Sequence, residues 1–584
     1  MSKEFRSLIS LEEALSAVFD HLPSASTRSL PLLQASGCIL AERIVSTIDV
    51  PGFSRAAMDG FAVVAADTLE AREDRPVRLR LAGRVPMGMQ AEVKLSSGEA
   101  AEVSTGSMMP GGADGVVMIE YSEAEGESVL VRRPVYAGEN VQAAGSDISF
   151  GEAVLFPGAV LSARELGVLA ALGRTEAPVR LLRVAVASTG DELAAPGRPL
   201  SPGRIYDINT YTIASAVEDC GAAAEPFGIL PDEKEAMAAA LQKMAEGCDM
   251  IIVSGSTSAG AGDIVYQVLE EAGELIFHGV NLKPGKPTIF GLLADRPFLG
   301  LPGYPTSALS VFSLLGAPAI RASLGGRHRE KRAAGRLSCP LRLEGRRQML
   351  AVALSGDLVY PVDKGSGSIT TLAGADGIID IAAGVEYLER GTTVQVQLFA
   401  GYDPADLVIA GENSLLLEDL AQDAGAVRLI NCGSLLGRML LMDGVADLAA
   451  VIGAVPSIPE GLAVLACLDL DLGMVWRSTP APDLSACRLI GWQRDSALSG
   501  AWEKAMLDLG LSNPRFVRLA RSHCAVAAAV ASGRADAGFA VREAALRAGL
   551  GFKPLVREKM LLLGRAESEK QAVKSLLSAL RAVA

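Results

Sequence analysis

Residues 182–193, LRVAVASTGDEL, run from an apolar stretch straight into a glycine and two carboxylates, and that transition decides how the middle of the chain folds. The segment Arg183–Ser188 offers no polar face, so it reads as a strand buried on both sides. Gly190 allows a sharp turn at its carboxyl end, and Asp191 and Glu192 follow. Residues 249–263, DMIIVSGSTSAGAGD, repeat the plan with a strand over Asp249–Ser254 and a loop of small residues. Between and after these strands, helical spacing is found over Glu233–Met244 and Ile264–Ala272, and Asn209 is placed to cap a helix through Val217 that stops at Gly221. Strands alternating with helices predict an α/β domain with a parallel sheet covered on both faces. Ligands in such sheets bind beyond the carboxyl ends of the strands, so the chemistry is expected in those loops.

Outward from this centre the texture changes. Ser10 with Glu12 and Glu13 starts a helix whose apolar face is Leu11, Ala14, Leu15, Val18 and Phe19. Short apolar runs broken by Gly, Pro and Asp, such as VRLRLAGRVPMG (77–88) and GVVMIEY (115–121), mark a β-rich domain. Leu161–Leu172 has helical spacing. After the basic stretch Arg327–Arg336, residues 337–397 return to short β segments, as in a small barrel or sandwich. Beyond Gly401 two stretches share one plan: 435–453, LLGRMLLMDGVADLAAVIG, and 525–541, AVAAAVASGRADAGFAV. Each reads as helix, glycine turn, Ala-Asp and apolar strand, which suggests a duplicated element in a two-lobed α/β module. The predicted domains are 1–44 with 145–178 as a helical linker, 45–144 β-rich, 179–325 α/β, 326–400 barrel-like and 401–584 binding-protein-like.

At 584 residues the chain is several times the usual domain size, and 49% hydrophobic residues suffice for several cores. A formal net charge of −14 argues against nucleic acid or an anionic membrane as partner, while leaving room for a local basic pocket. The eight cysteines include no CxxC pair, so neither a zinc knuckle nor a redox pair is signalled, and reduced structural thiols in a cytoplasmic protein are expected. The N-terminus lacks the apolar core of a secretion signal, and no uncharged apolar run approaches bilayer-spanning length.

Several motifs carry chemistry. In SRAAMDGFAV (54–63), Asp59-Gly60 is a turn dipeptide before a strand, which by itself fits a hairpin with a structural aspartate. VSTGSMMPGGADGVVMIE (103–120) places Thr105-Gly106 in a tight, hydroxyl-bearing loop. Small residues in SGSTSAGAGD, including Ser254, Gly255, Ser258 and Gly260, let backbone N–H groups approach a phosphate or a pterin. Asp263 at its end suits a metal or polar ligand, and suits equally a helix cap. NLKPGKPTIFG (281–291) presents Lys283 and Lys286 on one short proline-braced loop, an arrangement suited to a pyrophosphate or an oxyanion. FLGLPGYPTSAL (298–309) adds Pro302 and Pro305 in a second rigid loop before a helix.

Taken in order, Asp-Gly-Phe-Ala, Thr-Gly, Gly-Ser-Asp-Ile, Thr-Gly-Asp-Glu-Leu, Ser-Ala-Gly-Ala-Gly-Asp, Lys-Pro-Gly-Lys-Pro and Leu-Pro-Gly-Tyr-Pro resemble the molybdopterin molybdenumtransferase (MoeA-like) family, relatives of the gephyrin E domain. Single motifs of this kind are weak, and seven in family order are strong. The resemblance covers roughly residues 1 to 400. It implies insertion of molybdate or tungstate into adenylylated molybdopterin with release of AMP and help from Mg²⁺. It also implies an elongated homodimer in which Asp59 serves the partner's cleft, with a molybdopterin adenylyltransferase as candidate partner. Carried over residue by residue, the catalytic set is Asp59, Glu192, Asp263, Lys283 and Lys286, with Asp59, Glu192 and Asp263 as metal ligands. The substrate-binding set is Thr105, Asp147, Gly190, Asp191, Ser254, Gly255, Ser258, Gly260, Pro302, Pro305 and Ser366. Two positions depart from the family pattern: Tyr304 stands where asparagine is common, and Ala259 where valine is common.

Residues 401–584 resemble the binding-protein-like domain fused to some members. Ser434, the segment Arg494–Ser499 and Ser522-His523 are its expected cleft loops. Asp495 in that place argues against an anion site, adjacency of His523 and Cys524 does not make a catalytic pair, and no ligand is assigned to the tail. Two rival readings compete with this one. A molybdopterin adenylyltransferase would generally lack the β-rich segment bearing Asp59 and the region after Arg336. A vestigial, ligand-responsive regulator would not be expected to keep all the acidic and basic site residues, and no basic helix-turn-helix segment is present.

Overall fold

A computed structural model describes residues 8–255, 264–326, 331–362, 368–399, 401–421, 425–453, 458–477, 486–494, 496–511 and 515–583. The chain divides into two compact units, one of Met1–Val280, Pro287–Tyr304 and Ala308–Arg329, the other of Asn281–Lys286, Pro305–Ser307 and Glu330–Ala584.

In the first unit the opening helix is Leu11–Asp20, held by a capping box in which Ser10 and Glu13 satisfy each other's backbone N–H groups. Leu11, Ala14 and Val18 are buried, whereas Phe19 is exposed. A second capping box, Ser162 with Glu165, starts helix Ala163–Ala171. This helix packs Leu169 into a small core with Leu40, Ile44, Ile148, Leu161 and Val179, so residues far apart in sequence share one core. The β-rich part is a six-stranded sheet in the order Gly115–Met118, Gly60–Val63, Glu99–Val103, Val77–Val85, Ser128–Val131, Ser122–Glu125.

The α/β part centres on a six-stranded sheet ordered Ala223–Leu230, Arg183–Thr189, Met250–Ser254, Arg296–Leu301, Ile289–Leu293, Gly273–His278. Its first four strands are parallel as the sequence pattern predicts, and the last two add an antiparallel edge. Asn209 does not act as the expected cap. It is the first residue of helix Asn209–Glu218, and Asp207 Oδ1 caps that turn by accepting the Thr210 N–H at 3.2 Å. Buried polar neighbours draw the Asn209 side chain away from its own helix.

Residues Pro305–Leu324 form a continuous α–π–α stretch of 20 residues with Arg321 as its one charged residue. By length and hydropathy it could cross a membrane, more than the sequence reading allowed. Most of it is nevertheless buried, including Ala308, Val311, Phe312, Leu315, Ala319 and Ile320, so its apolar side chains serve a protein core.

In the second unit, strands Arg347–Ser355, Leu358–Pro361, Arg332–Leu337, Thr393–Leu398 and Gly377–Ile381 close into a barrel, and Leu282–Lys283 adds in parallel beside Arg347–Gln348. The remainder is built on an eight-stranded sheet ordered Val427–Asn431, Leu407–Gly411, Leu448–Ile452, Gly551–Arg565, Leu462–Trp476, Ala537–Val541, Leu489–Trp492, Phe516–Ala520. The two look-alike stretches occupy equivalent places in it. Asp447 accepts from Val408 N–H and donates its own N–H to the Val408 carbonyl. Asp536 does the same with Arg488. Asp249 repeats the device with Arg183 in the first unit. In each, an aspartate just before a strand pins the start of the neighbouring strand through an N–H that would otherwise lack a partner.

Candidate functional site

Three neighbouring strands of the first unit's parallel sheet end together, and their loops form the candidate site. At the end of Arg183–Thr189, Gly190 has φ +144°, and a β-carbon there would stand 2.7 Å from a Glu192 carboxylate oxygen. Glycine is therefore what allows the Glu192 carboxylate to fold back over the turn. The Asp191 N–H donates to Asp232 Oδ2 at 3.0 Å, tying the loop down on its outer side. At the end of Met250–Ser254, Gly255 has φ +101° and its N–H donates to the Leu301 carbonyl. A β-carbon on Gly255 would lie 2.4 Å from the Thr189 carbonyl oxygen, so the first two strand ends approach backbone to backbone.

Buried polar side chains beneath these loops fix their spacing. Ser188 Oγ donates to Asp207 Oδ1 at 2.7 Å and lies 2.9 Å from Thr210 Oγ1. Asn209 Nδ2 donates both to Ser254 Oγ and to the Gly303 carbonyl, each at 2.7 Å, and Ser254 Oγ donates to the Pro302 carbonyl at 3.0 Å. One asparagine thus joins the second and third strand ends. Its Oδ1 is buried and has no hydrogen-bond partner among the described residues, an arrangement that asks for an N–H donor.

In the β-rich sheet, Asp59 Oδ1 accepts from the Thr105 N–H at 2.7 Å and lies 3.1 Å from Thr105 Oγ1, so these two predicted residues meet at an exposed position. Asp59-Gly60 is not a hairpin turn: Gly60 begins a central strand, and a β-carbon there would collide with the Val117 carbonyl at 1.9 Å. Asp147 is exposed, its N–H donating to the Val50 carbonyl, in a segment that runs beside residues 50–56.

In the second unit, Lys283 Nζ pairs with Glu344 Oε1 at 2.5 Å. The Lys283 hydrogen bond, helped by its charge, holds the Glu344 carboxyl below the usual carboxylate range. Lys286 is exposed, and Pro305 is the first residue of helix Pro305–Val311. Ser258, Gly260, Asp263 and Ser366 lie outside the described residues, as does Asp495. Among the described residues no group of three or more His, Cys, Asp or Glu side chains is placed to hold a metal ion.

The sequence reading missed Ser188, Asp207, Thr210 and Asp232, and gave Asn209 the wrong role. The run IYDINTY (205–211) was a signal, since Asp and Asn two apart just before a helix can serve both a cap and a loop.

Comparison with known proteins extends these observations. Residues 9–173 match the "MoeA N-terminal region (domain I and II)", 185–322 a "Probable molybdopterin binding domain" and 334–399 the "MoeA C-terminal region (domain IV)". Residues 470–581 match a "PBP superfamily domain". The chain is 34% identical over 405 residues to molybdopterin molybdenumtransferase 2 of Mycobacterium tuberculosis, covering 66% of this chain and 98% of that protein. It is 36% identical over 328 residues to the molybdopterin molybdenumtransferase of Haemophilus influenzae, covering 56% and 80%. The crystal structure of the molybdopterin biosynthesis MoeA protein from Pyrococcus horikosii superimposes with a TM-score of 0.62 at 40% identity, over 68% of this chain and all of that one.

Proposed function

From the premise that the chain belongs to the molybdopterin molybdenumtransferase family and is an enzyme of molybdenum cofactor biosynthesis that inserts molybdenum, we propose that the three converging strand ends hold adenylylated molybdopterin while water hydrolyses its phosphoanhydride to release AMP and molybdenum from molybdate is placed on the dithiolene. The observation that carries this reading is the Asn209 bridge between Ser254 and Gly303 beside the Glu192–Gly190 turn. The unpartnered Asn209 Oδ1 suits a pterin ring N–H. Backbone N–H groups of the small-residue loop after Ser254 suit the phosphates.

Mg²⁺ fits this donor set as an ion shared with the substrate rather than as one caged by protein. It takes one or two carboxylates plus phosphate oxygens, and Glu192 offers the carboxylate, with Asp263 as the second candidate. Bound there, it would neutralise charge on the pyrophosphate. Lys283 would leave its exposed pairing with Glu344, which is weak in water, for a phosphate or for molybdate. Lys286 would share that task. We assign Asp59, with Thr105 steadying its carboxylate, to orienting the attacking oxyanion or water, and Asp147, Asp191, Gly255, Ser258, Gly260, Pro302, Pro305 and Ser366 to shaping the cleft. The working form would be a cytoplasmic homodimer with Asp59 reaching the partner's site, supplied by a molybdopterin adenylyltransferase.

The test is turnover of adenylylated molybdopterin with Mg²⁺ and molybdate, following AMP and metal-loaded pterin. Glu192→Gln and Asp59→Asn should each lose turnover by about 100-fold or more. Mixing the two inactive variants should restore activity if Asp59 serves the other subunit. A folded wild-type chain that releases no AMP in the presence of molybdate would overturn the reading.

A further inference from the structure

In the second unit the barrel and the eight-stranded C-terminal module meet along the module's edge strand, Val427–Asn431. Arg428 leaves that strand and enters the barrel. Its Nη2 donates to Asp376 Oδ1 at 2.6 Å and its Nη1 to Asp376 Oδ2 at 2.9 Å. Nη1 also reaches Tyr360 Oη at 3.1 Å and the Leu354 carbonyl at 3.3 Å. The two charged side chains are 20% and 8% exposed, so water and salt screen this pair far less than a surface pair. Ala353, Tyr360 and Val445 are buried together, with Val362, Ile430 and Leu440 packed against them, and a second ion pair joins Arg390 to Asp443 at 2.8 Å. The module is thus seated on the barrel by an apolar contact and two charged ties.

Asp376 is where this tie enters the barrel's own framework. Just before strand Gly377–Ile381, its N–H donates to the Val352 carbonyl at 2.9 Å and its Oδ2 accepts the Leu354 N–H at 2.7 Å. The strand then runs antiparallel to Arg347–Ser355, from Gly377 opposite Val352 to Ile381 opposite Gln348. It has little room to shift. Strand Thr393–Leu398 lies on its other side, and a β-carbon on Gly377 would stand 2.3 Å from the Gln397 carbonyl oxygen. Near its far end, both carboxylate oxygens of Asp380 accept from Arg347, at 2.9 and 2.6 Å. Arg347 and Gln348 are the residues beside which Leu282 and Lys283 join the sheet. One short strand therefore has the module's arginine at its start and the anchor of the lysine loop near its end, roughly 13 Å away at the usual rise per residue.

We propose that Arg428 is a positioning residue for the molybdenum-inserting reaction: by gripping Asp376 it fixes strand Gly377–Ile381, and through Asp380 and Arg347 it sets where Lys283 and Lys286 stand. The C-terminal module then acts on the reaction as a brace for the lysine loop, without touching substrate. The inference rests on the reading that these lysines meet the substrate's phosphates or molybdate.

The test follows hydrogen exchange by mass spectrometry, and AMP release, in the full chain of wild type, Arg428→Met and Arg428→Met/Asp376→Asn. The double variant strands no buried charge and keeps an acceptor for the Leu354 N–H, so it separates the tie from plain stability. All three tryptophans of the chain, Trp476, Trp492 and Trp502, lie in the module, so their fluorescence shows whether it stays folded in each variant. Both variants should exchange about threefold or more faster at residues 282–286, and their KM for adenylylated molybdopterin should rise by about threefold or more with kcat changed less. Exchange of Arg183–Thr189 in the first unit should stay as in wild type. Arg428→Lys keeps the charge but not the two parallel bonds, so it should show a smaller shift of the same kind, and it replaces Arg428→Met if that variant does not fold. If loop exchange and KM in the double variant return to wild-type values along with its stability, Arg428 is a structural tie only and the proposal is overturned. Faster loop exchange with an unchanged KM overturns it equally. A folded wild type that releases no AMP overturns the reading of the site instead, and the two failures are distinguishable because exchange at residues 282–286 is measured without turnover.

Discussion

His523 should make the C-terminal module markedly less stable at mildly acidic pH. The ring is fully buried at the start of helix His523–Ala531, and burial alone pushes its pKa down from 6.5 to about 3. The unfolded chain takes up a proton below about 6.5, while the folded module refuses it until about 3. Stability from keeping this histidine neutral is therefore complete above pH 6.5 and is lost progressively as pH falls from there toward 3. At 1.36 kcal/mol per unit, moving from pH 7 to pH 5 costs about 2 kcal/mol. With a urea slope of ~2 kcal/mol/M, the module's midpoint should drop by about 1 M. Tryptophan fluorescence during urea unfolding at the two pH values measures this in the full chain. Substituting His523→Leu removes the titrating group and should abolish most of that difference, while contributions from other groups remain in both proteins. Equal pH 5 to pH 7 differences in wild type and His523→Leu would refute the reasoning.

Three further outcomes follow from the geometry. Arg428 is held by Asp376 through both carboxylate oxygens and by Tyr360, and although burial opposes its charge these bonds keep its pKa above the ordinary value. Arg428→Met should cost about 3–5 kcal/mol by stranding Asp376, and the double variant Arg428→Met/Asp376→Leu should recover much of it, both read by urea unfolding. Asn209→Ala leaves Ser254 Oγ and the Gly303 carbonyl without their donor, so it should cost about 1–3 kcal/mol and raise KM for the pterin substrate, measured by thermal unfolding and AMP release. Gly190→Ala places a side chain at φ +144° against the Glu192 carboxylate. It should cost about 1–3 kcal/mol and lower kcat, whereas Ala194→Gly nearby should leave kcat unchanged.

The division between what was legible in the residues and what was not has physical causes. Local patterns were readable because they report on neighbours in the chain. The Ser10 helix start, the helical spacing over Leu161–Leu172, the alternation of apolar strand and helix over residues 183–272, and the Ala-Asp step before strands Leu448–Ile452 and Ala537–Val541 each rest on contacts spanning a few residues or one supersecondary unit. Motifs in family order were readable for a related reason, since glycines at close approaches such as Gly60 and Gly190 admit few other residues. Asn209 was misread because a cap is the local use of an asparagine before a helix. Its actual bonds go 45 and 94 residues along the chain, and a buried donor follows the acceptors that the sheet brings to it. The reversed strand Ile289–Leu293 and the edge strand Gly273–His278 paired against it were hidden because alternation does not state strand direction. Glu412 was invisible for the strongest reason. Nothing around it in sequence marks it, yet Ser434, Ser496 and Ala497, up to 85 residues away, all place their donors on its carboxylate. Sequence by itself determined which segments are strands, helices and strained glycine turns, because those follow from local sterics and periodicity. Only the tertiary structure decided which polar groups meet, because pairing a buried donor with an acceptor is a property of the packed chain.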